Sequence, residues 1–263
     1  REDIDGVAAT AGPGLIGSLL VGLCFAKSLA YAWRKPILGV DHLEAHLFAI
    51  FLERRVAFPY IALLVSGGHT SLFRVEGFDR VRFLGGTRDD AAGEAFDKAA
   101  KQMGLGYPGG VAIDRLAQEG DRERFSFPRA WLSQESADFS FSGLKTSLRV
   151  FLSSAEVNAA RREDIAASFQ EAIVEVLVGK TLAAAKRGGI PRVVLAGGVS
   201  ANSRLREKME EEGVRVGMEV HLPSKALCTD NAAMVAFLGE RRLSAGLASG
   251  LDLNAYAASR FVR

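Results

Sequence analysis

The sequence predicts an α/β protein built in two parts, and three observations predict it. From the start of the chain, short apolar strand-like runs alternate with helical ones, and the first four elements read β-α-β-α. A fresh series of three strands opens at Pro59, the first two forming a hairpin, and marks a second lobe. Strands also end in glycine turns that lead into the next element, as at Gly67-Gly68 and Gly197-Gly198.

The elements follow in order. A strand is expected at 6–11, and Gly12-Pro13-Gly14 turns it into a helix at 15–33. That run is apolar enough to imitate a signal peptide or membrane span. Gly17, Ser18, Lys27 and Ser28 interrupt it, so it reads as a buried helix. A strand at 36–40 precedes a helix carrying His42 and His46. In the second lobe, strands are expected at 60–66, 71–75 and 81–84, then helices at 89–103 and 111–118. The stretch 118–138 is polar and irregular. An extended piece at 139–141 leads into a helix at 143–152. A long helix at 162–186 keeps helical period through Ile165, Phe169, Ile173, Val176 and Leu177. A buried strand at 192–196, a helix at 200–212, a strand near 218–222 and a last helix at 230–244 follow. The tail from Ala245 is weakly specified.

The bulk composition excludes little. The chain has 263 residues, 48% hydrophobic and 24% charged, with a net charge of +2, so it neither demands nor excludes nucleic acid. Arg54-Arg55, Arg161-Arg162 and Arg241-Arg242 read as solvated faces. Cys24 and Cys228 have no metal or redox spacing, which fits a reducing cytosol.

The chemistry begins with the histidines. Of four in the chain, His42 and His46 are four apart and share one helical face, where two imidazoles can hold a divalent metal. In a zinc-protease helix a glutamate directly follows the first histidine. Glu44 comes two places later and faces roughly the opposite way, so the pair is half of a metal site of another kind. Asp230 is either an N-cap of the last helix or the carboxylate that completes the site. Two histidines and a carboxylate with open positions suit Fe(II), or Zn²⁺ in a catalytic site.

Other motifs point to a nucleotide. Ser66-Gly67-Gly68-His69-Thr70 is a hairpin turn or a cradle for an anion. Leu195 to Asn202 is strand, Gly-Gly, helix start: an ordinary βα turn with an N-cap, or a seat for a nucleobase and phosphate, with Asn202 reaching a ribose or base edge. Asp89 and Asp90 read as N-capping and dipole-stabilising residues of the following helix. Glu94–Lys98 and Asp97–Lys101 are surface pairs, unless Asp97 faces a cleft and binds sugar hydroxyls. Gly106-Tyr107-Pro108-Gly109-Gly110 allows close backbone approach, and Asp114 follows Gly110 by one helical turn.

In sequence, these are His42-Leu43-Glu44-Ala45-His46, 65–70, Asp89-Asp90-Ala91-Ala92-Gly93-Glu94-Ala95-Phe96-Asp97-Lys98, 106–110, Phe139-Ser140-Phe141-Ser142-Gly143-Leu144-Lys145-Thr146, 196–202 and 228–233. Over nearly the whole chain this series resembles the bacterial TsaD family of tRNA threonylcarbamoyladenosine transferases, once labelled glycoproteases. The resemblance implies an actin/hexokinase-like fold of two duplicated α/β lobes with a nucleotide cleft. It assigns 1–58 to the remainder of lobe I, with the opening strands and first phosphate loop absent. It assigns 59–263 to lobe II, with the last helices returning toward lobe I. It implies His42, His46 and Asp230 as ligands for Fe(II), with Zn²⁺ as the alternative. It implies that Val65, Ser66, Gly67, Gly68, His69, Asp97, Gly110, Asp114 and Asn202 line the site for threonylcarbamoyl-AMP. The implied acceptor is N6 of the adenosine beside the anticodon in tRNAs that read codons starting with A. The implied partners are TsaB and TsaE in the cytoplasm, with the 15–33 helix as part of the TsaB-facing bundle, and the fold class also admits ATP or ADP. Asp41 stands where the family usually has Asn, beside the metal.

Three rivals share parts of this pattern. A metallopeptidase would need a general-base carboxylate beside the metal. A non-catalytic scaffold of the same fold should lack the metal triad. A sugar or acetate kinase of the same fold would bind Mg²⁺ through carboxylates rather than paired histidines.

Overall fold

The computed structural model describes residues 1–263 except 132–135, 156, 158–159, 260 and 262–263. The centre is a five-stranded sheet in the order β5-β4-β3-β6-β7. It is formed by β3 (Tyr60–Val65), β4 (Thr70–Val75), β5 (Val81–Gly86), β6 (Arg192–Ala196) and β7 (Glu219–His221). β3, β4 and β5 are antiparallel neighbours, while β6 and β7 join in parallel beside β3. All six residues of β3 are buried, as a strand covered on both faces must be.

The two faces alternate with period two. Ile61, Leu63, Val65, Leu72, Val193 and Leu195 belong to one core. Over it pack α3 (Ala92–Gln102), α4 (Gly109–Ala117), α5 (Ser142–Leu152), α6 (Arg162–Arg187) and α7 (Ser203–Arg215). Tyr60, Ala62, Leu64, Phe73, Val194 and Ala196 belong to a second core. There they meet α2 (His42–Phe48), its 3-10 extension Ala49–Leu52 and α9 (Ala232–Ser244). A separate parallel pair, β1 (Val7–Gly12) and β2 (Ile37–Asp41), lies against α9 and carries α1 (Ile16–Trp33). A four-residue helix, α8 (Lys225–Cys228), connects β7 to Asp230; the sequence reading had no element there. The irregular stretch 118–138 and the tail fall partly on 132–135, 260 and 262–263, outside the described residues.

The buried reading of the first helix is overturned. Of α1, only Leu23, Ala26 and Ala30 are buried, while Val21, Phe25 and Tyr31 are 76%, 67% and 74% exposed. By length and composition α1 is also apolar enough to cross a membrane. Small residues at Ala26 and Ala30 let it sit close on β1 and β2, and no described residue covers its outer face.

A charged network closes the helical side. Glu171 on α6 is 5% exposed and accepts hydrogen bonds from Arg204 Nε at 2.7 Å and Lys208 Nζ at 2.5 Å, both on α7. Burial pushes its carboxyl up, but the bonds and charges of Arg204 and Lys208 outweigh this and hold it below the ordinary 4.5. A depressed carboxylate stabilises the fold above its unfolded value, and that contribution is lost as pH falls through the folded value. Glu171→Gln is therefore expected to cost about 1.5–3 kcal/mol near neutrality. In denaturant titrations the gap from wild type should close as pH falls below 4.5.

Candidate active site

α2 is only seven residues long, too short to stand alone. Asp41 caps it: Oδ1 accepts from the N–H groups of Leu43 (2.9 Å) and Glu44 (3.3 Å). Its other oxygen accepts from Tyr256 Oη (3.0 Å) and Ser259 Oγ (2.9 Å). Asp41 is thus occupied as a cap and a tether for the tail. The Tyr60 hydroxyl donates to the Leu47 carbonyl at 2.9 Å. Glu44 is buried in a two-pronged ion pair with Arg242 near the end of α9. Burial raises its pKa, opposed by that guanidinium. This is the face opposite the histidines, as the spacing predicted.

The opposite face carries the triad. His46 is 2% exposed and His42 23%, their rings edge-on with centroids 4.7 Å apart. Both Nε2 atoms converge on Asp230 Oδ1, at 3.3 Å from His42 and 3.1 Å from His46. One ligand atom from each of the three lies within 4.8 Å of the others. Burial first, then the neighbouring His42, push His46 below the ordinary imidazole value against the pull of Asp230. A neutral imidazole keeps a lone pair for a cation. His46 Nδ1 is buried without a partner among the described residues, so no hydrogen bond there sets which ring nitrogen carries the proton. The donor set fits a divalent transition metal. Asp230 is not the cap of α9. That role falls to Asn231, whose side chain accepts from Met234 N at 2.9 Å, leaving Asp230 79% exposed. Burial, then the neighbouring His42, lower the His69 imidazole from its ordinary value, against the pull of Asp41 and Glu94.

Beside the triad lies a cleft of about 460 Å³. One wall comes from α3 and α4 (Gly93, Asp97, Gly110, Asp114) and the other from 198–202 and α8. Gly67 lines it, as does Thr229, the residue before Asp230. Of the nine residues expected around a substrate, Gly67, Asp97, Gly110, Asp114 and Asn202 meet in this cleft. Val65 is the buried end of β3, and Ser66, Gly68 and His69 form the hairpin turn above it. In that turn Ser66 N donates to the His69 carbonyl at 2.8 Å, and His69 N donates to Ser66 Oγ at 3.2 Å.

The polar residues of the cleft are partly engaged with one another. Asp97 Oδ1 accepts from Gly109 N at 2.8 Å, so its side chain braces the start of α4 rather than pairing with Lys101. Asp114 accepts from Ser203 N and Oγ, fastening α4 to α7. Asn202 caps α7 through Leu205 N (2.9 Å) and donates to Gln170 Oε1 (2.7 Å). One N–H and one lone pair of its amide remain for a ligand. Asp89 and Asp90 also depart from expectation. The N-cap of α3 is Ala91, whose N–H donates to Glu94. Asp89 instead accepts from Phe141 N, Ser140 Oγ and Ser142 Oγ, fixing the start of α5. Asp90 pairs with Lys98 and Lys145, while the expected Glu94–Lys98 pair is a looser 3.8 Å.

Two glycines set these distances: Gly197 of the expected βα turn, and Gly93, which had no role in the sequence reading. A Cβ on Gly93 would meet the Ser66 carbonyl oxygen at 2.4 Å, and Gly197, at φ +85°, sits against the Val65 carbonyl. Both hold cleft walls against the end of β3. Gly67 and Gly68, the obvious pair in the sequence, have nothing within 4 Å.

The sequence matches the TsaD family, described as tRNA N6-adenosine threonylcarbamoyltransferase, over residues 1–237. The chain belongs to this family. It is 56% identical over 258 residues to the tRNA N6-adenosine threonylcarbamoyltransferase of Syntrophus aciditrophicus, covering 97% of this chain and 75% of that one. Its identity to the Geobacter metallireducens enzyme of the same name is 57% over 256 residues, with the same coverage. Among solved structures it is similar to HypF of T. kodakarensis, with a TM-score of 0.68 at 16% identity, over 93% of this chain and 41% of that one. It is also similar to the activator of 2-hydroxyisocaproyl-CoA dehydratase from Clostridium difficile with bound ADPNP, with a TM-score of 0.51 at 17% identity, over 91% of this chain and 87% of that one. The fold is the actin/hexokinase-like ATPase fold, and the family is one of tRNA-modifying transferases.

Gly93→Ala should cost about 1–3 kcal/mol, because the new methyl meets a backbone carbonyl. Gly67→Ala should stay within about 0.5 kcal/mol of wild type. Thermal denaturation of the two variants side by side checks this.

Proposed function

We propose that this chain transfers threonylcarbamoyl from threonylcarbamoyl-AMP to N6 of the adenosine beside the anticodon, in tRNAs that read codons starting with A. The convergence of His42, His46 and Asp230 next to a nucleotide-sized cleft carries this reading. In the reaction, the exocyclic amine attacks the carbamoyl carbon, the bond to the phosphate oxygen breaks, AMP leaves and the amine gives up a proton.

The chain's own residues have distinct tasks. Gly67 and Gly68 of the hairpin turn, and Gly198 and Val199 after β6, offer backbone N–H groups to the adenylate. Asp97 holds the start of α4 through Oδ1 and keeps Oδ2 for sugar hydroxyls. Gly110 lets the ligand lie against the backbone. Fixing the adenylate in this way lowers the orientational barrier to attack. No serine or cysteine lines the cleft among the described residues, and burial raises the Cys228 thiol above its ordinary value. Both facts favour direct transfer without a covalent enzyme intermediate. His42, His46 and Asp230 would hold the metal, Fe(II) by preference and Zn²⁺ as the alternative. When bound, it would supply a Lewis acid to stabilise developing negative charge.

The peptidase alternative loses support from Glu44, which is buried against Arg242 on the far side of α2. The exposed Val21, Phe25 and Tyr31 of α1 favour a partner surface, and we assign it to TsaB. TsaE and a cytoplasmic setting complete the proposed context.

Modified nucleoside, measured by chromatography with mass detection, tests the reading. The reaction contains threonylcarbamoyl-AMP, unmodified tRNA, TsaB and TsaE. His46→Ala should reduce transfer by at least about 100-fold. Unchanged transfer in the variant would reduce the histidine pair to a structural role. No transfer by folded, assembled wild type would sink the transferase reading.

A further inference from the structure

The mouth of the cleft carries two side chains that the adenylate reading leaves unused. Tyr107 stands just before α4, lines the cleft and is 86% exposed. Lys225 opens α8 on the other wall and is also exposed. It makes no hydrogen bond or ion pair with any described residue, and it is the only cationic side chain among the described residues lining the cleft. Either residue alone would be ordinary surface. Together they set one aromatic face and one unpaired cation on the two walls of a single cleft.

The backbone carrying Tyr107 is braced on both sides. Leu105 N donates to the Ala100 carbonyl at 2.8 Å, closing the end of α3, and Gly109 N is held by Asp97. A ring presented from a fixed turn loses little freedom on binding. Val111, 67% exposed on the next turn, lines the same cleft and extends the apolar surface. Of the groups assigned to the adenylate, Asn202 is buried and Asp97, Gly110 and Asp114 are half-buried, deeper than Tyr107 and Val111, while Gly67, Gly68 and Gly198 are exposed.

We propose that Tyr107 and Lys225 form the rim on which the anticodon loop of the tRNA docks. The Tyr107 ring stacks on an unpaired base next to the target adenosine, and Lys225 neutralises a phosphate of the same strand. This rests on the transferase reading. The target base must enter a cleft whose floor holds the adenylate, so the strand that carries it crosses the rim. Unpaired RNA is held in this manner, with bases on aromatic faces and phosphates on cations.

Binding of fluorescently labelled, unmodified tRNA to the enzyme assembled with its partner proteins, over a series of salt concentrations, tests the rim. KM for tRNA and for threonylcarbamoyl-AMP is measured in parallel. Tyr107→Ala should weaken tRNA binding about tenfold and leave the salt dependence unchanged. Tyr107→Phe, which keeps the stacking face, should lose less than about threefold. Lys225→Ala should lower the slope of log affinity against log salt by about one. KM for threonylcarbamoyl-AMP should stay within about twofold throughout. Unchanged tRNA binding in Tyr107→Ala and Lys225→Ala would overturn the proposal. So would a raised KM for the adenylate with tRNA binding intact, which would move both residues into the adenylate pocket. Binding is read without turnover, so an enzyme that binds tRNA in this way yet transfers nothing would sink the transferase reading and uphold the rim.

Discussion

The seating of α2 against the central sheet is the constraint on which the rest of the site depends. Seven residues cannot hold a helix in water, yet this one must present two imidazoles with fixed spacing. Burial of Leu43, Ala45, Leu47 and Phe48 against the sheet core supplies the stability. The Asp41 cap fixes where the helix begins, and Tyr60 fixes where it ends. α9 is then tied to it twice: Arg242 pairs with Glu44, and Asp230, just before the helix, meets His42 and His46. One helix thus uses one face for fold and the other for chemistry. Glu44 belongs to the first face, as its place two residues after His42 dictates.

The cleft is built by a different economy. Its carboxylates and amide first hold its own walls together, Asp97 to Gly109, Asp114 to Ser203 and Asn202 to Gln170. Such cross-bracing positions groups before a ligand arrives, so less ordering cost falls on binding. The walls approach β3 closely because Gly93 and Gly197 carry no side chain at the contact.

Much of this was legible in the chain. Strand and helix order followed from the hydrophobic pattern, because β3 and all of β6 after Arg192 are apolar and α6 repeats at helical spacing. The histidine face and the opposite placement of Glu44 followed from helical geometry alone. What local sequence could not carry were contacts made across the chain. Asp89 looked like a helix cap, but its partners at 140–142 lie about fifty positions away. Asp230 and Asn231 are adjacent, and only the fold decides which of them caps and which faces the histidines. The composition of α1 announced an apolar helix, but composition does not say whether anything lies on top of it. Gly93 was hidden because its need for a small residue comes from the Ser66 carbonyl, a contact that no helix pattern encodes.

The fold brings His42, His46 and Asp230 together, and we propose that they hold one metal ion. Elemental analysis of anaerobically purified protein, wild type beside Asp230→Ala, tests it most directly. Asp230 is exposed, so its loss should leave the fold intact. About one iron or zinc per wild-type chain is expected, with most of it lost in the variant, since two imidazoles alone make an incomplete site. Equal metal content in the two proteins, or none in wild type after loading with Fe(II) or Zn²⁺, would contradict it.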